Sequence, residues 1–142
     1  MNAYTYEQIR NGQNESFEVT ITSHMMSLFN EITGDTNPLH CDVEYAVSRG
    51  YSGQVVYGML TASFYSTLAG VYLPGKYCLL QSVDTGFRSP VFIGDTLTVS
   101  GKVTEKNDAF HIIIVKAQII NQRGEKVSKA TIQIGFQKGE QL

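Results

Sequence analysis

"GMLTASFYSTLAGVYL", residues 58–73, contains no Asp, Glu, Lys or Arg. Met59, Leu60, Ala62, Phe64, Leu68, Val71, Tyr72 and Leu73 are distributed around the helix this stretch predicts. A surface helix keeps a polar stripe toward water, so one without a charged face is covered on most sides. Gly58 opens the segment and Pro74-Gly75 ends it. The fold question becomes what does the covering.

Downstream, the apolar period falls to two. "YCLLQSVDTGF" (77–87) reads as a strand, with a bulge or kink expected at Asp84-Thr85-Gly86. Residues 95–106 place Leu97, Val99 and Val103 on one face, with Gly101 between. "AFHIIIVKAQIIN" (109–121) and "EKVSKATIQIGF" (125–136) complete two hairpins, turned at Asn107-Asp108 and at Gln122-Arg123-Gly124. Upstream, "FEVTI" (17–21) alternates apolar and polar and reads as a first strand. Met25, Leu28, Phe29 and Ile32 then fall at helical spacing, with Ser23 as the expected N-cap and Gly34 as the stop. "DVEYAVSRG" (42–50) is a shorter helix, capped by Asp42 and closed by Gly50. The order is strand, three helices, four strands. A sheet's apolar face needs a cover. The expected class is therefore α+β: a mostly antiparallel sheet wrapped around one long buried helix, in a single unit spanning residues 1–142.

Composition narrows the partners. Hydrophobic residues make up 42% of the chain and charged residues 17%, which is globular rather than disordered. The net charge of −2, with no basic block, argues against nucleic acid and against an anionic membrane surface. No apolar run approaches the ~20 residues of a spanning helix. "MNAYTYEQIRNGQ" is no signal peptide, so a cytoplasmic protein is expected. Cys41 and Cys78 lack C-x-x-C spacing and any His cluster, so free thiols are expected and a metal site is not.

The chemistry concentrates in "GDTNPLHCD" (34–42). Asp35 and His40 would lie ~140° apart on a helix and on opposite faces of a strand. Only a turn can bring them together, and Asn37-Pro38 supplies one. A converged carboxylate and imidazole could hold one water, one removing its proton and the other delivering a proton to substrate. Asp is also an ordinary turn residue here, so the residues leave a structural bend and an acid/base pair both open. Gly58 adds an electrophilic half. A helix N-terminus presents unpaired N–H groups, and glycine lets a ligand approach closely. A thioester carbonyl docked there would be polarised as in an oxyanion hole; a tight turn that merely starts the helix is the plainer reading.

These stretches resemble a known family. "FNEITGDTNPLHCDVEYA" resembles the signature of MaoC-like, (R)-specific enoyl-CoA hydratases, "GMLTASFYSTLAGVYLPG" the helix that follows it, and "FRSPVFIGDTLTVSGKV" its later strand motif. The likeness spans roughly residues 15–136, with the motifs in the family's order. It implies a hot-dog fold, usually dimeric. It also implies reversible addition of water to a trans-2-enoyl thioester, giving an (R)-3-hydroxyacyl thioester, with no metal or redox cofactor. By the resemblance, Asp35 and His40 form the water-activating pair and the Gly58 N–H polarises the thioester oxygen. Ser66 supports the pair, and Asn37 braces the bend. The implied partners are an acyl-CoA or acyl carrier protein thioester and a second copy of the chain. The alternatives are a 3-hydroxyacyl carrier-protein dehydratase, a thioesterase on the same fold, and a non-catalytic acyl-thioester binder. One departure stands out: the family usually has His-Gly-Met where this chain reads Tyr57-Gly58-Met59.

Overall fold

The computed structural model describes residues 1–139; the last three residues of the expected 1–142 unit lie outside the described residues. A short 3₁₀ turn at Tyr6–Gln8 precedes β1 (Asn14–Thr20). Three helices follow: α1 (Ser23–Thr33), α2 (Pro38–Cys41) and α3 (Val43–Ser48). The long helix begins as α4 (Gly58–Thr67) and continues through a π-helical turn (Leu68–Tyr72). Then come β2 (Cys78–Phe87), β3 (Thr96–Asn107), β4 (Ile112–Ile120) and β5 (Lys126–Phe136). All five strands form one sheet in the order β1-β3-β4-β5-β2, and every neighbouring pair is antiparallel. The helix-on-sheet α+β architecture is the one the sequence predicts.

The inner face of the sheet makes the core. Leu97, Val99 and Val103 of β3, Ile113, Val115 and Ile119 of β4, and Ile132 and Ile134 of β5 are sealed from solvent. Leu60, Tyr65, Leu68 and Ala69 of the long helix pack onto them. Burying each large aliphatic side chain is worth about 1.5–3 kcal/mol. The interval left by Gly101 has a steric cause. A Cβ there would lie 2.8 Å from both Leu68 Cδ2 and Val115 Cγ1, so the glycine lets the helix close on the sheet.

Several expectations are corrected. Thr22, one residue ahead of Ser23, caps α1, its hydroxyl accepting from the Met25 N–H at 3.2 Å. Both residue types cap well, and the chain's extended conformation at Thr22 decides between them. Strand β1 starts at Asn14, earlier than Phe17, because Asn14–Ser16 pair with β3. The register of β2 against β5 slips between Leu80 and Ser82, so the bulge is at Gln81, while Asp84-Thr85-Gly86 pair regularly. An additional helical turn, α2, occupies the predicted bend. The long helix is not covered all round: Met59 is 67% exposed. No helix among the described residues is long and apolar enough to cross a membrane.

Candidate active site

The bend is assembled from local signals. Gly34 ends α1 in the left-handed conformation (φ 70°), which reverses the chain. The Asp35 side chain accepts from the Asn37 N–H at 3.1 Å. Asn37 caps α2, its Oδ1 accepting from the Leu39 N–H at 2.9 Å, and Pro38 fills the first helical position, where no N–H is needed. Asp42 caps α3, as its position suggests. Asp35 stays exposed, and among the described residues its second carboxylate oxygen has no protein partner.

His40 emerges from α2 half-buried. Its Nδ1 lies 2.7 Å from the carbonyl oxygen of Val55. A carbonyl only accepts, so Nδ1 carries a proton and Nε2 is left uncommitted. The Gln54 side-chain amide donates to the His40 carbonyl at 3.1 Å, and the Val55 N–H donates to Leu39 at 3.1 Å. These bonds clamp residues 54–55 against α2.

Gly58 is the first residue of α4, and its N–H finds no acceptor among the described residues, as helix geometry requires of that position. A Cβ on Gly58 would sit 3.3 Å from the tip of the Phe87 ring, a tight contact that glycine avoids. His40, Gly58, Thr61, Phe87, Arg88 and Val91 line one cleft of about 320 Å³. The imidazole and the helix N-terminus thus share a wall. A broader hollow of about 850 Å³ on the sheet's outer face, bordered by Lys102, Lys116 and Lys129, holds none of the predicted residues.

The cleft does not gather everything. Asp35 is absent from its lining and makes no hydrogen bond to His40. Ser66 lies on α4, exposed, without a hydrogen bond among the described residues. Asn37 acts through its cap. His24 is on the surface at the start of α1. His111 sits in the β3–β4 turn, its ring stacked on Tyr6 at 4.3 Å.

Sequence reading missed two participants. Thr61 borders the cleft, fully buried, with an unpartnered hydroxyl. Asn30, near the end of α1, donates through Nδ2 to the Asp35 carbonyl at 2.9 Å and to the Tyr57 hydroxyl at 3.1 Å. Its only sequence signal is a polar residue four before the Gly34 stop. Tyr57, which departs from the family pattern, is 2% exposed. Its hydroxyl donates to the Asp35 carbonyl at 2.7 Å and lies 3.4 Å from Cys41 Sγ. Its ring lies 4.3 Å from the His40 imidazole. Burial, then the Cys41 contact, raise the phenol above its ordinary range, so it remains a protonated donor.

The MaoC like domain family matches residues 6–124. An (R)-specific enoyl-CoA hydratase of Rhodospirillum rubrum is 37% identical over 105 residues, covering 71% of this chain and 73% of that protein. A mitochondrial 3-hydroxyacyl-[acyl-carrier-protein] dehydratase of Arabidopsis thaliana is 37% identical over 76 residues, covering 54% of this chain and 45% of that one. The solved structure of an (R)-hydratase from Aeromonas caviae superposes with a TM-score of 0.88 at 27% identity, covering 92% of this chain and 99% of that one. The family spans most of the chain, and the solved (R)-hydratase shares its sheet-and-helix architecture. The chain is a hydro-lyase of the MaoC-like dehydratase family, with the hot-dog fold.

Proposed function

We propose that the protein adds water reversibly to trans-2-enoyl-CoA, giving (R)-3-hydroxyacyl-CoA, with Asp35 and His40 as the acid/base pair and Gly58 as the carbonyl-binding donor. The observation that carries this reading is the shared cleft. An imidazole with its Nδ1 fixed on Val55 and an unpaired helix N-terminal N–H border one space. The substrate's thioester oxygen accepts from the Gly58 N–H, which draws electron density from C3. Water attacks C3 as Asp35 takes one of its protons. The resulting enolate takes a proton at C2 from the His40 imidazolium, delivered through Nε2. Proton exchange between Asp35 and His40 through solvent then restores the starting state. Asn37 holds the bend through its cap, while the supporting role of Ser66 rests on the family resemblance alone.

The active form in this reading is a homodimer paired along β2. Leu80 and Val83 stand opposite the sealed Ile134 and Ile132, and so belong to the core face of the sheet. Both are nevertheless exposed, as are Phe87 on the same strand and Met59 on α4. β2 is an edge strand, and a second copy would pair that edge and cover the strip. Sedimentation should give twice 15.7 kDa, and V83E should reduce it to one chain.

The purified protein should remove the conjugated-thioester absorbance of crotonyl-CoA or of longer enoyl-CoA substrates. Chiral analysis should then return the (R)-alcohol. No turnover across a chain-length series, presented on CoA and on acyl carrier protein, would overturn the reading. Carrier-protein substrates preferred by more than tenfold in kcat/KM would instead favour a carrier-protein dehydratase, a reading supported by the Arabidopsis relative.

A further inference from the structure

We infer that Tyr57 is a positioning residue that fixes both members of the acid/base pair and ties them to the carbonyl-binding helix. The inference rests on the hydratase reading and deepens it. Asp35 and His40 make no bond to each other, yet each makes contact with Tyr57. The phenol hydroxyl donates to the Asp35 carbonyl at 2.7 Å. The ring face lies 4.3 Å from the His40 ring, tilted by 31°. Tyr57 is also the N-cap residue of α4, directly preceding Gly58. One buried residue therefore links all three functional elements, Asp35 and His40 through its side chain and Gly58 through the backbone.

The support around Tyr57 is built rather than incidental. Asn30 Nδ2 donates both to the Tyr57 hydroxyl and to the Asp35 carbonyl, and Cys41 Sγ lies 3.4 Å from Asn30 Nδ2 and from the hydroxyl, closing a polar cluster that bridges the end of α1 to the start of α4. Phe29, one residue earlier on α1, holds the phenol ring from another side at 4.8 Å. The ring thus has both Phe29 and His40 as neighbours, and its hydroxyl meets the Asp35 carbonyl, Asn30 Nδ2 and Cys41 Sγ. Asp35 otherwise sits on an exposed loop held by its own short turn. An exposed carboxylate on a free loop would sample many positions, and small misplacements of reacting groups cost large factors in rate. The two hydrogen bonds to the Asp35 carbonyl remove that freedom without touching the carboxylate, so both of its oxygens stay available for the Asn37 N–H and for water.

The two parts of Tyr57 predict separable effects. Y57F keeps the ring and loses the hydroxyl. Its kcat on enoyl-CoA should fall roughly tenfold, with KM within about twofold, because one net hydrogen bond is lost at the Asp35 carbonyl. Y57L loses the ring as well and should fall about 100-fold, with a displaced pH–rate profile because the face beside His40 is rebuilt. N30A combined with Y57F should cost little more than either alone, since both serve the same carbonyl. All variants are assayed well below their melting temperatures, so lost stability cannot pass for lost rate. An activity-independent measurement completes the test. The His40 ring-proton resonances should carry a ring-current shift in the wild type and in Y57F that Y57L loses, and the Asp35 amide signal should broaden in Y57F. Wild-type kcat in Y57F together with an unbroadened Asp35 signal would overturn the role of Tyr57. A wild type without turnover would overturn the hydratase reading, and the resonances would still judge the anchoring.

Discussion

The inner sheet and the bend at residues 33–42 are held by opposite means. On β3, β4 and β5, alternate side chains are sealed, and Gly101 is pressed so closely that a Cβ would strike Leu68 and Val115 at 2.8 Å. In the bend nearly every residue is exposed, and the chain is held by caps: Asp35 to Asn37, Asn37 to Leu39, Asp42 to Tyr45. The sheet spends side chains on burial; the bend spends them on its own backbone. Polar side chains can therefore project from the bend into solvent and toward the cleft, at positions whose replacement threatens little packing. Chemistry and stability are carried by different residues.

That division can be broken at several points. Asp35→Asn and His40→Gln should each lower kcat/KM by at least ~10²-fold. Scanning calorimetry should show the melting temperature of D35N within about 2 °C of wild type and that of H40Q lower by several degrees, because the Val55 bond and the face against Tyr57 are disturbed; unchanged rates in both would remove the pair from the mechanism. In the sheet the effects reverse. Gly101→Val overpacks the helix–sheet contact and should cost about 1–3 kcal/mol by urea denaturation, leaving kcat per folded molecule unchanged. Asn37→Ala, inside the bend, should combine both effects. Losing the α2 cap should cost about 1 kcal/mol and lower kcat several-fold, because the capped turn carries His40.

The two thiols give the mildest comparison. Cys41 in the bend is exposed, whereas Cys78 at the start of β2 is half-buried, and burial pushes its thiol up from 9.0 to about 11. A disulfide reagent at neutral pH should titrate Cys41 rapidly and Cys78 only on unfolding. The sign for stability follows. The folded chain holds the Cys78 proton more tightly than the unfolded chain does, so this contribution is intact below pH 9 and is lost as pH rises toward about 11. Cys78→Ala should flatten that part of the stability profile, measured by denaturant titration at each pH.

The sequence alone determined the elements. Period two and period 3.6 are local properties, and the uncharged stretch 58–73 reads as a helix covered on most of its sides. Gly34, Asn37-Pro38 and Asp42 specify the bend because stops and caps act within a few residues. Even the choice between Ser23 and Thr22 as cap, where the sequence reading misses by one, is a choice between adjacent equivalents. The bulge at Gln81 was not legible, since a bulge depends on how β2 meets β5 and Asp84-Thr85-Gly86 looks the better candidate in isolation. The exposure of Met59 was equally hidden, because periodicity says that a face is apolar and not what covers it. The site divides in the same way. Asp35, His40 and Gly58 are visible as residue types in suitable local settings. That His40 and Gly58 border one cleft, and that a tyrosine 22 positions beyond Asp35 holds the Asp35 carbonyl while lying against His40, are properties of packing between α1, α2 and the start of α4. Local chemistry writes the turns, caps and strands; distances between side chains far apart in the chain exist only once the helices have packed.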